Sequence, residues 1–339
     1  LPGSLRIVKT APHLPSLPGW AVYAAEAPAG QPPAGPRQPL AFAPWLYLEP
    51  AHQALQAHGR PTRSFFLENE ADKTTDAQLF VILDGAGPGR ASSPAQAPFG
   101  AVQLAPGVPD AALHLLLETV EITLRAHGQQ RLLLRGYPFC YDPTGAAQLA
   151  EALRQRHYAV TQAEENYYLD PARDYEAHLH PSERRRLRRC RQLGLVPEQE
   201  PPLILPWAYD FIAACRQERG QALSLPLERV QELFRTFPRQ HMLFSVRKPG
   251  GEWAALTIAI QVSDRVLYNF YPASPLADNH LSPTVLLNES LHAYARASGL
   301  AVVDLGTSTL PTGPNASLLR FKRHLGGVSS LKLSWEKAL

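Results

Sequence analysis

Apolar and polar positions follow the same order twice along this chain. In the first half, SFFLEN (64–69), AQLFVIL (77–83) and FGAVQL (99–104) are short runs with the alternation and aromatic or β-branched content of strands. In the second half, MLFSVR (242–247), WAALTIAIQV (253–262) and RVLYNFY (265–271) read the same way, with KPGGE and VSDR between them as hairpin turns. Each set precedes an amphipathic helix ending R-A-x-G, a short apolar strand, a loop rich in Gly, Pro and Thr, and a second helix. These segments are LLETVEITLRAHGQQRLLLRGYPFCYDPTGAAQLAEAL (116–153) and LLNESLHAYARASGLAVVDLGTSTLPTGPNASLLRFKRHL (286–325). An offset of 171 residues matches Gly128 to Gly299 and also Arg125 to Arg296, Leu134 to Leu305 and Pro143 to Pro314. A glycine after R-A-x is the expected helix C-terminal cap. HYAVTQAEENYYL (157–169) and VSSLKLSW (328–335) supply a last strand to each half. The expectation is an α+β chain of two tandem domains, 1–170 and 171–339, each with a mixed, mostly antiparallel sheet flanked by helices.

With 339 residues, 45% of them hydrophobic, the chain has enough apolar material for a core in each half. The formal charge is only +3, so the six arginines between Arg184 and Arg191 are a local feature. Cys140, Cys190 and Cys215 are far apart and outside any ligand spacing, which predicts neither disulfides nor a metal site and suits a reducing cytoplasm. No apolar run approaches the roughly 20 residues of a membrane span, and LPGSLRIVKTAPHLP at the start lacks the core of a signal peptide. PAGQPPAGPRQP (28–39) reads as a stiff surface loop. DGAGPGR (84–90) contains GxGxG, but Pro88 and the following ASSPAQAP deny it the helix of a dinucleotide-binding loop.

SERRRLRRCRQLGLV (182–196) forms a helix of about three turns when projected at 3.6 residues per turn. Leu187, Cys190 and Leu193 make one apolar stripe and most arginines the opposite side. Arg186 falls on the stripe, so it either snorkels to water or finds a buried partner. Three readings remain: a solvated basic face, an anion site in which Arg184 and Arg188 clasp a phosphate, or a DNA-binding helix. The last lacks a helix-turn-helix partner and base-reading Asn or Gln pairs, so DNA is not expected. A tRNA acceptor arm needs only the electrostatics.

The duplicated order of elements resembles the GNAT acyltransferase fold in tandem, as in Fem-type aminoacyl and peptidyl transferases and related bacterial acyltransferases. SERRRLRRCRQLGLV is similar to that family's S-x-R-x-x-(I/L)-R-x-A-x-x-x-G-(V/L) helix, with Cys190 where alanine is usual. VVDLGTS (302–308) resembles its D-(F/L)-G-x-S strand end, and LLRFKRHLGG (318–327) its F-K-x-x-(F/L)-G helix. The resemblance covers residues 180–330 by motif and the first half by plan. It implies transfer of an acyl or aminoacyl group from a thioester or a tRNA ester to an acceptor amine, with acyl-coenzyme A or aminoacyl-tRNA as co-substrate and no tightly bound cofactor. The transfer role of the F-K pair carries over to Phe321 and Lys322. YPASPLADNHLSPT (271–284), which stands where ordinary GNAT enzymes hold the coenzyme A pyrophosphate on a glycine turn, has no glycine. The alternative is a non-catalytic protein of the same fold that binds a phosphorylated carrier or RNA.

Acyl transfer requires a neutral amine, a stabiliser for the tetrahedral oxyanion and a proton for the leaving group. Lys322 suits the oxyanion; without the resemblance it reads as an exposed lysine of an amphipathic helix. Asp304, inside an apolar strand, is either hydrogen-bonded for structure or a base at the strand end. Ser308 follows that strand, where α/β folds place ligands. Tyr268 and Tyr271 point to opposite faces of their strand, and Asn269, on the face of Tyr271, can bind a substrate amide or sit at an edge. His280 reads as a solvated loop histidine or a base.

Overall fold

A computed structural model of the chain describes residues 14–83, 89–310 and 313–339. Most of the opening segment LPGSLRIVKTAPHLP and residues 84–88 of the GxGxG stretch lie outside the described residues. In chain order the first half contains β1 (Trp20–Ala27), α1 (Pro50–Ala57), β2 (Thr62–Asn69), β3 (Thr74–Leu83), β4 (Arg90–Ser93), β5 (Gln103–Leu104), α2 (Asp110–Ala126), β6 (Arg131–Arg135) and α3 (Pro143–Gln155). Then come β7 (Ala159–Leu169), α4 (Tyr175–His178), α5 (Pro181–Gln192), β8 (Val196–Glu200), α6 (Leu205–Gln217), α7 (Leu227–Thr236) and β9 (His241–Arg247). The remainder is β10 (Trp253–Gln261), β11 (Val266–Asn269), α8 (Thr284–Ala297), β12 (Val302–Thr307), β13 (Thr309–Leu310), β14 (Gly313–Pro314), α9 (Ala316–His324) and β15 (Val328–Ala338).

Two compact units divide these elements. Of the described residues, the first comprises those within 14–137, 142–163 and 333–339, and the second those within 138–141 and 164–332. Within the first, β1, β2, β3 and β4 run antiparallel in that order, and β4 then pairs parallel with β6. Within the second, β8, β9, β10 and β11 run antiparallel, and β11 pairs parallel with β12. The long helix between the two parallel strands, α2 or α8, supplies the crossover that parallel pairing requires. The repeat seen in the sequence is therefore a repeat of topology.

The duplicated plan has one strand more per unit than the periodicity shows. β1 and β8 stand at the sheet edges, and VPEQE of β8 lacks the apolar alternation that reveals a strand. FGAVQL contributes only the two-residue β5; the fourth strand is RASS of β4, which overlaps ASSPAQAP, the stretch that denies a helix after the GxGxG. Closing each sheet is a strand from the other half of the sequence. The end of β15 pairs with β6 in the first unit (Trp335 opposite Leu134), and the end of β7 pairs with β12 in the second (Leu169 opposite Val303).

Core packing follows from strands that are apolar on both faces. β3 and β10 are buried along almost their whole length, as strands covered on both sides must be. In the first unit they pack with Leu113, Leu116, Val120 and Leu124 of α2, which recur at helical spacing. In the second, Leu287, Leu291 and Ala295 of α8 do the same against Phe244, Ala255 and Leu267. Gly128 and Gly299 follow these two helices with φ of +79° and +70°, where a Cβ costs about 1 kcal/mol or more. Neither would meet a neighbour if it carried a Cβ, so the backbone angle alone constrains them. Gly128→Ala and Gly299→Ala are each expected to lower unfolding stability by about 1 kcal/mol, measured by urea denaturation.

Candidate active site

In the second unit the parallel strands β11 and β12 stay paired only from Val266–Val302 to Tyr268–Asp304. Beyond that point Phe270 and Ala273 donate to Ile258 and Leu256 of β10, so the chain follows β10 and leaves β12 behind. Asn269 and Leu305, the next residues on the two strands, line a cleft of about 500 Å³ at this fork. Helix α9 forms another wall with Leu318, Phe321 and Lys322, while α6 contributes Arg216 and the turn after it Arg219.

The equivalent fork of the first unit, after Ser93 pairs with Leu134, is filled by its own chain. Gly100 donates to the carbonyl of Arg135 at 2.9 Å, and Ala101 donates to Ser93 Oγ at 3.0 Å. Trp45, Phe99 and Tyr137 pack edge to face there, with centroids 4.1 Å apart for Trp45–Tyr137 and 5.4 Å for Trp45–Phe99. A duplicated fold thus carries a pocket of this kind at one fork and an aromatic plug at the other.

Lys322 sits on the last turn of α9 and is 5% exposed. Its ammonium donates to the carbonyls of Gly306 (2.8 Å) and Thr307 (2.9 Å), which leaves one of its three N–H groups without a partner among the described residues. Burial pulls its pKa down to about 8, an effect that the charge of nearby Asp304 only partly opposes. The two carbonyls converge because β12 is irregular here: its register with β7 shifts between Asp304 and Thr307, and Gly306 has φ of +74°. A Cβ at Gly306 would also lie 3.3 Å from the ring of Tyr268.

Asp304 is 2% exposed and accepts three hydrogen bonds. Tyr141 Oη donates to Oδ2 at 2.6 Å, while Asn166 Nδ2 (2.8 Å) and the Gly306 amide (2.7 Å) donate to Oδ1. Of the two readings open for this residue, the hydrogen-bonded one describes the geometry: Asp304 holds the bulge whose carbonyls hold Lys322. It is not among the cleft-lining residues.

Other residues singled out from the sequence fall in different places. Phe321 lines the cleft beside Lys322 and packs on the core of the second unit. Asn269 lines it too, and its amide is fixed by Thr257 Oγ1 at 2.7 Å and Asn288 Oδ1 at 3.2 Å. Tyr271 is outside the lining: its hydroxyl accepts from the amides of Ser224 and Leu225, both at 3.1 Å, and so anchors the loop before α7. Ser308 is buried with its hydroxyl unpartnered, while its carbonyl accepts from Asn315 at the start of α9. His280 is exposed and its Nδ1 pairs with the carbonyl of Ala277.

The arginine helix α5 is held by its own surroundings. Arg184 donates to the carbonyls of Glu176, Ala177 and Leu179. Arg188 lies 3.5 Å from Glu176, and Arg191 joins Glu176 to Glu289. Arg186 snorkels, 44% exposed, to Glu183 at 2.7 Å. None of these side chains lines the cleft.

What sequence reading missed is α6. Arg216 follows Ile212 by one helical turn and Cys215 by one residue, so it lies at the margin of that helix's buried face. The signal was there in the spacing, but nothing about LPWAYDFIAACRQ says that the margin borders a cleft. For Asp304, Asp304→Asn removes the charge that three donors satisfy. It is expected to cost about 2 kcal/mol in urea unfolding, in the range for hydrogen bonds to a charged group.

Residues 181–323 match the family model described as an acetyltransferase (GNAT) domain. A solved structure described as FemX superimposes with a TM-score of 0.64 at 11% identity, covering 82% of this chain and 88% of that one. A conserved protein of unknown function from Bacteroides thetaiotaomicron VPI-5482 gives 0.55 at 12% identity, covering 81% and 86%. L-PGS from Bacillus licheniformis gives 0.50 at 12% identity, covering 84% and 86%. No curated protein matched the sequence. Residues 181–323, which hold the walls of the cleft up to Lys322, are similar to the acetyltransferase (GNAT) domain family, and the chain shares its fold with FemX.

Proposed function

We propose that this protein transfers an acyl or aminoacyl group from a thioester or tRNA ester to an acceptor amine in the cleft of the second unit, with Lys322 as the oxyanion stabiliser. The observation that carries this reading is the ammonium of Lys322, buried and fixed by two backbone carbonyls, with one N–H unpartnered on a residue that lines the cleft. A preorganised cation in a dry site stabilises developing negative charge more than water does. The acceptor nitrogen attacks the donor carbonyl carbon, and the carbonyl electron pair moves to oxygen, where Lys322 takes the charge. Collapse breaks the bond to the thiolate or alkoxide, which leaves with the proton that the acceptor nitrogen gives up. Tandem GNAT enzymes and Fem-type transferases, which the sequence resembles, perform this class of reaction.

Among the described residues, no Asp, Glu or His lines the cleft. The acceptor therefore enters as a free amine, and the ordering of reaction follows its basicity. The residues Phe321 and Asn269 suit an acceptor or donor amide: the first offers an apolar face and the second an oriented polar one. Arg184 and Arg188 have no role in this reading, since their partners are carbonyls of α4 and Glu176. The donor, whether acyl-coenzyme A, an acylated carrier protein or aminoacyl-tRNA, is the choice that a substrate panel decides.

Two outcomes are expected. Lys322→Met lowers transfer at least about 100-fold, the scale of losing one oxyanion donor, with an unchanged circular dichroism spectrum; full activity in a folded variant would refute the assignment. The stabilising form is the cation, present below the Lys322 pKa. The rate therefore rises with pH as the acceptor amine loses its proton and falls again as pH passes about 8. In Lys322→Arg, whose guanidinium keeps its proton, the alkaline fall disappears from the pH–rate profile.

A further inference from the structure

We infer that the molecule bound in this cleft carries an anionic group, a carboxylate or a phosphate, and that Arg216 of α6 receives it. The inference deepens the transfer reading by assigning a substrate feature to the same cleft. Arg216 differs in kind from the other arginines of this unit. Those with ordered side-chain partners are paired to carboxylates, Arg186 to Glu183, Arg191 to Glu176 and Glu289, Arg247 to Glu198 and Glu200, or, in Arg184, cap a helix end. Arg216 is partly buried and lines the cleft with no carboxylate beside it.

Its hydrogen bonds are few and neutral. Nη1 donates to Gln221 Oε1 at 2.8 Å and Nη2 to the carbonyl of Pro272 at a long 3.4 Å, and Nε is buried with no acceptor at all. A guanidinium has five N–H groups, so three are unmatched. The ionisable groups that act most on its charge are Tyr271, Arg219, Tyr268 and Cys215, of which one is a cation and three are neutral at pH 7. Burial without a counter-charge lowers the Arg216 pKa. A half-buried cation that is neither paired nor free in water is a cost to the fold unless an anion arrives.

Electrostatics of the lining point the same way. Arg216, Arg219 and Lys322 all border the cleft, and among the described residues no acidic side chain does. Arg219 has Glu218 at 3.7 Å, and Lys322 is satisfied by two carbonyls, which leaves Arg216 as the lining cation with the least compensation. Its planar fork matches the two oxygens of a carboxylate or phosphate. The group that docks here belongs to the donor or the acceptor; both place the reacting atoms toward Lys322.

The test is a binding titration of the full chain with two probes, inorganic pyrophosphate and glutarate, read by thermal shift and calorimetry. The wild type is expected to bind at least one of them saturably, with affinity falling as salt rises. The arm that binds identifies phosphate or carboxylate. Arg216→Gln should weaken that binding at least tenfold, while Arg186→Gln on α5, outside the cleft lining, should retain it. If Arg216→Gln does not fold, Arg216→Lys replaces it, and a fivefold or greater loss is expected because the fork is gone. Unchanged affinity in the folded Arg216 variant, or no binding of either probe by the wild type, overturns the inference. Binding does not require transfer, so a protein that binds the probe through Arg216 but moves no acyl group would refute the transfer reading and leave this one standing.

Discussion

A lysine ammonium loses its water when it is buried, and it keeps its proton only if the protein presents oxygen in return. Lys322 finds that oxygen in two consecutive backbone carbonyls, Gly306 and Thr307, which an unbroken strand would point to opposite sides. Bringing them together requires the irregularity in β12, and the irregularity requires a residue with positive φ at Gly306. The freed amide of Gly306 then needs an acceptor, which is Asp304. Asp304 in turn takes hydrogen bonds from Tyr141 and Asn166, residues from the loop after β6 and from β7. One cation thus accounts for the aspartate, the glycine and the strand that closes this sheet.

The two forks show why duplication of a fold is not duplication of a site. In both units two parallel strands are joined by a long helix crossover, and in both they part after a few pairs. Parting exposes backbone groups that must be satisfied by water, ligand or protein. The first unit uses protein: Gly100 returns to the carbonyl of Arg135, and Trp45, Phe99 and Tyr137 fill the space. The second unit leaves a cleft of about 500 Å³ instead, walled by α6 and α9.

Charge in this protein has meaning through its partners rather than its density. The six arginines of α5 are the most conspicuous feature of the sequence, yet Arg184 tethers α4 and Arg186, Arg188 and Arg191 meet glutamates. The exposed pairs among these, Arg188 and Arg191 with Glu176, contribute little individually, roughly 0–1 kcal/mol. Arg216 attracts no attention in the sequence and is the cation that lacks a counter-charge where a ligand would sit.

The amino-acid sequence by itself determined the elements that local pattern encodes. β3, β9 and β10, the helices α2 and α8 with their glycine caps, the helical α5 and the repeat at 171 residues are all visible as apolar periodicity, because each buries one face or both over its own length. Motif resemblance also singled out Phe321 and Lys322, which line the cleft, and Asp304, which supports it. Edge strands escaped this reading, since β8 is polar and β4 is short and lies between prolines. Tertiary structure alone decided which strand closes each sheet, which of two equivalent forks is open, and which arginine is left without an acid. Those outcomes depend on groups far apart in the chain, 163 residues in the Tyr141–Asp304 bond and more in the pairing of Trp335 with Leu134, and no local pattern records where a distant donor or carboxylate will come to rest.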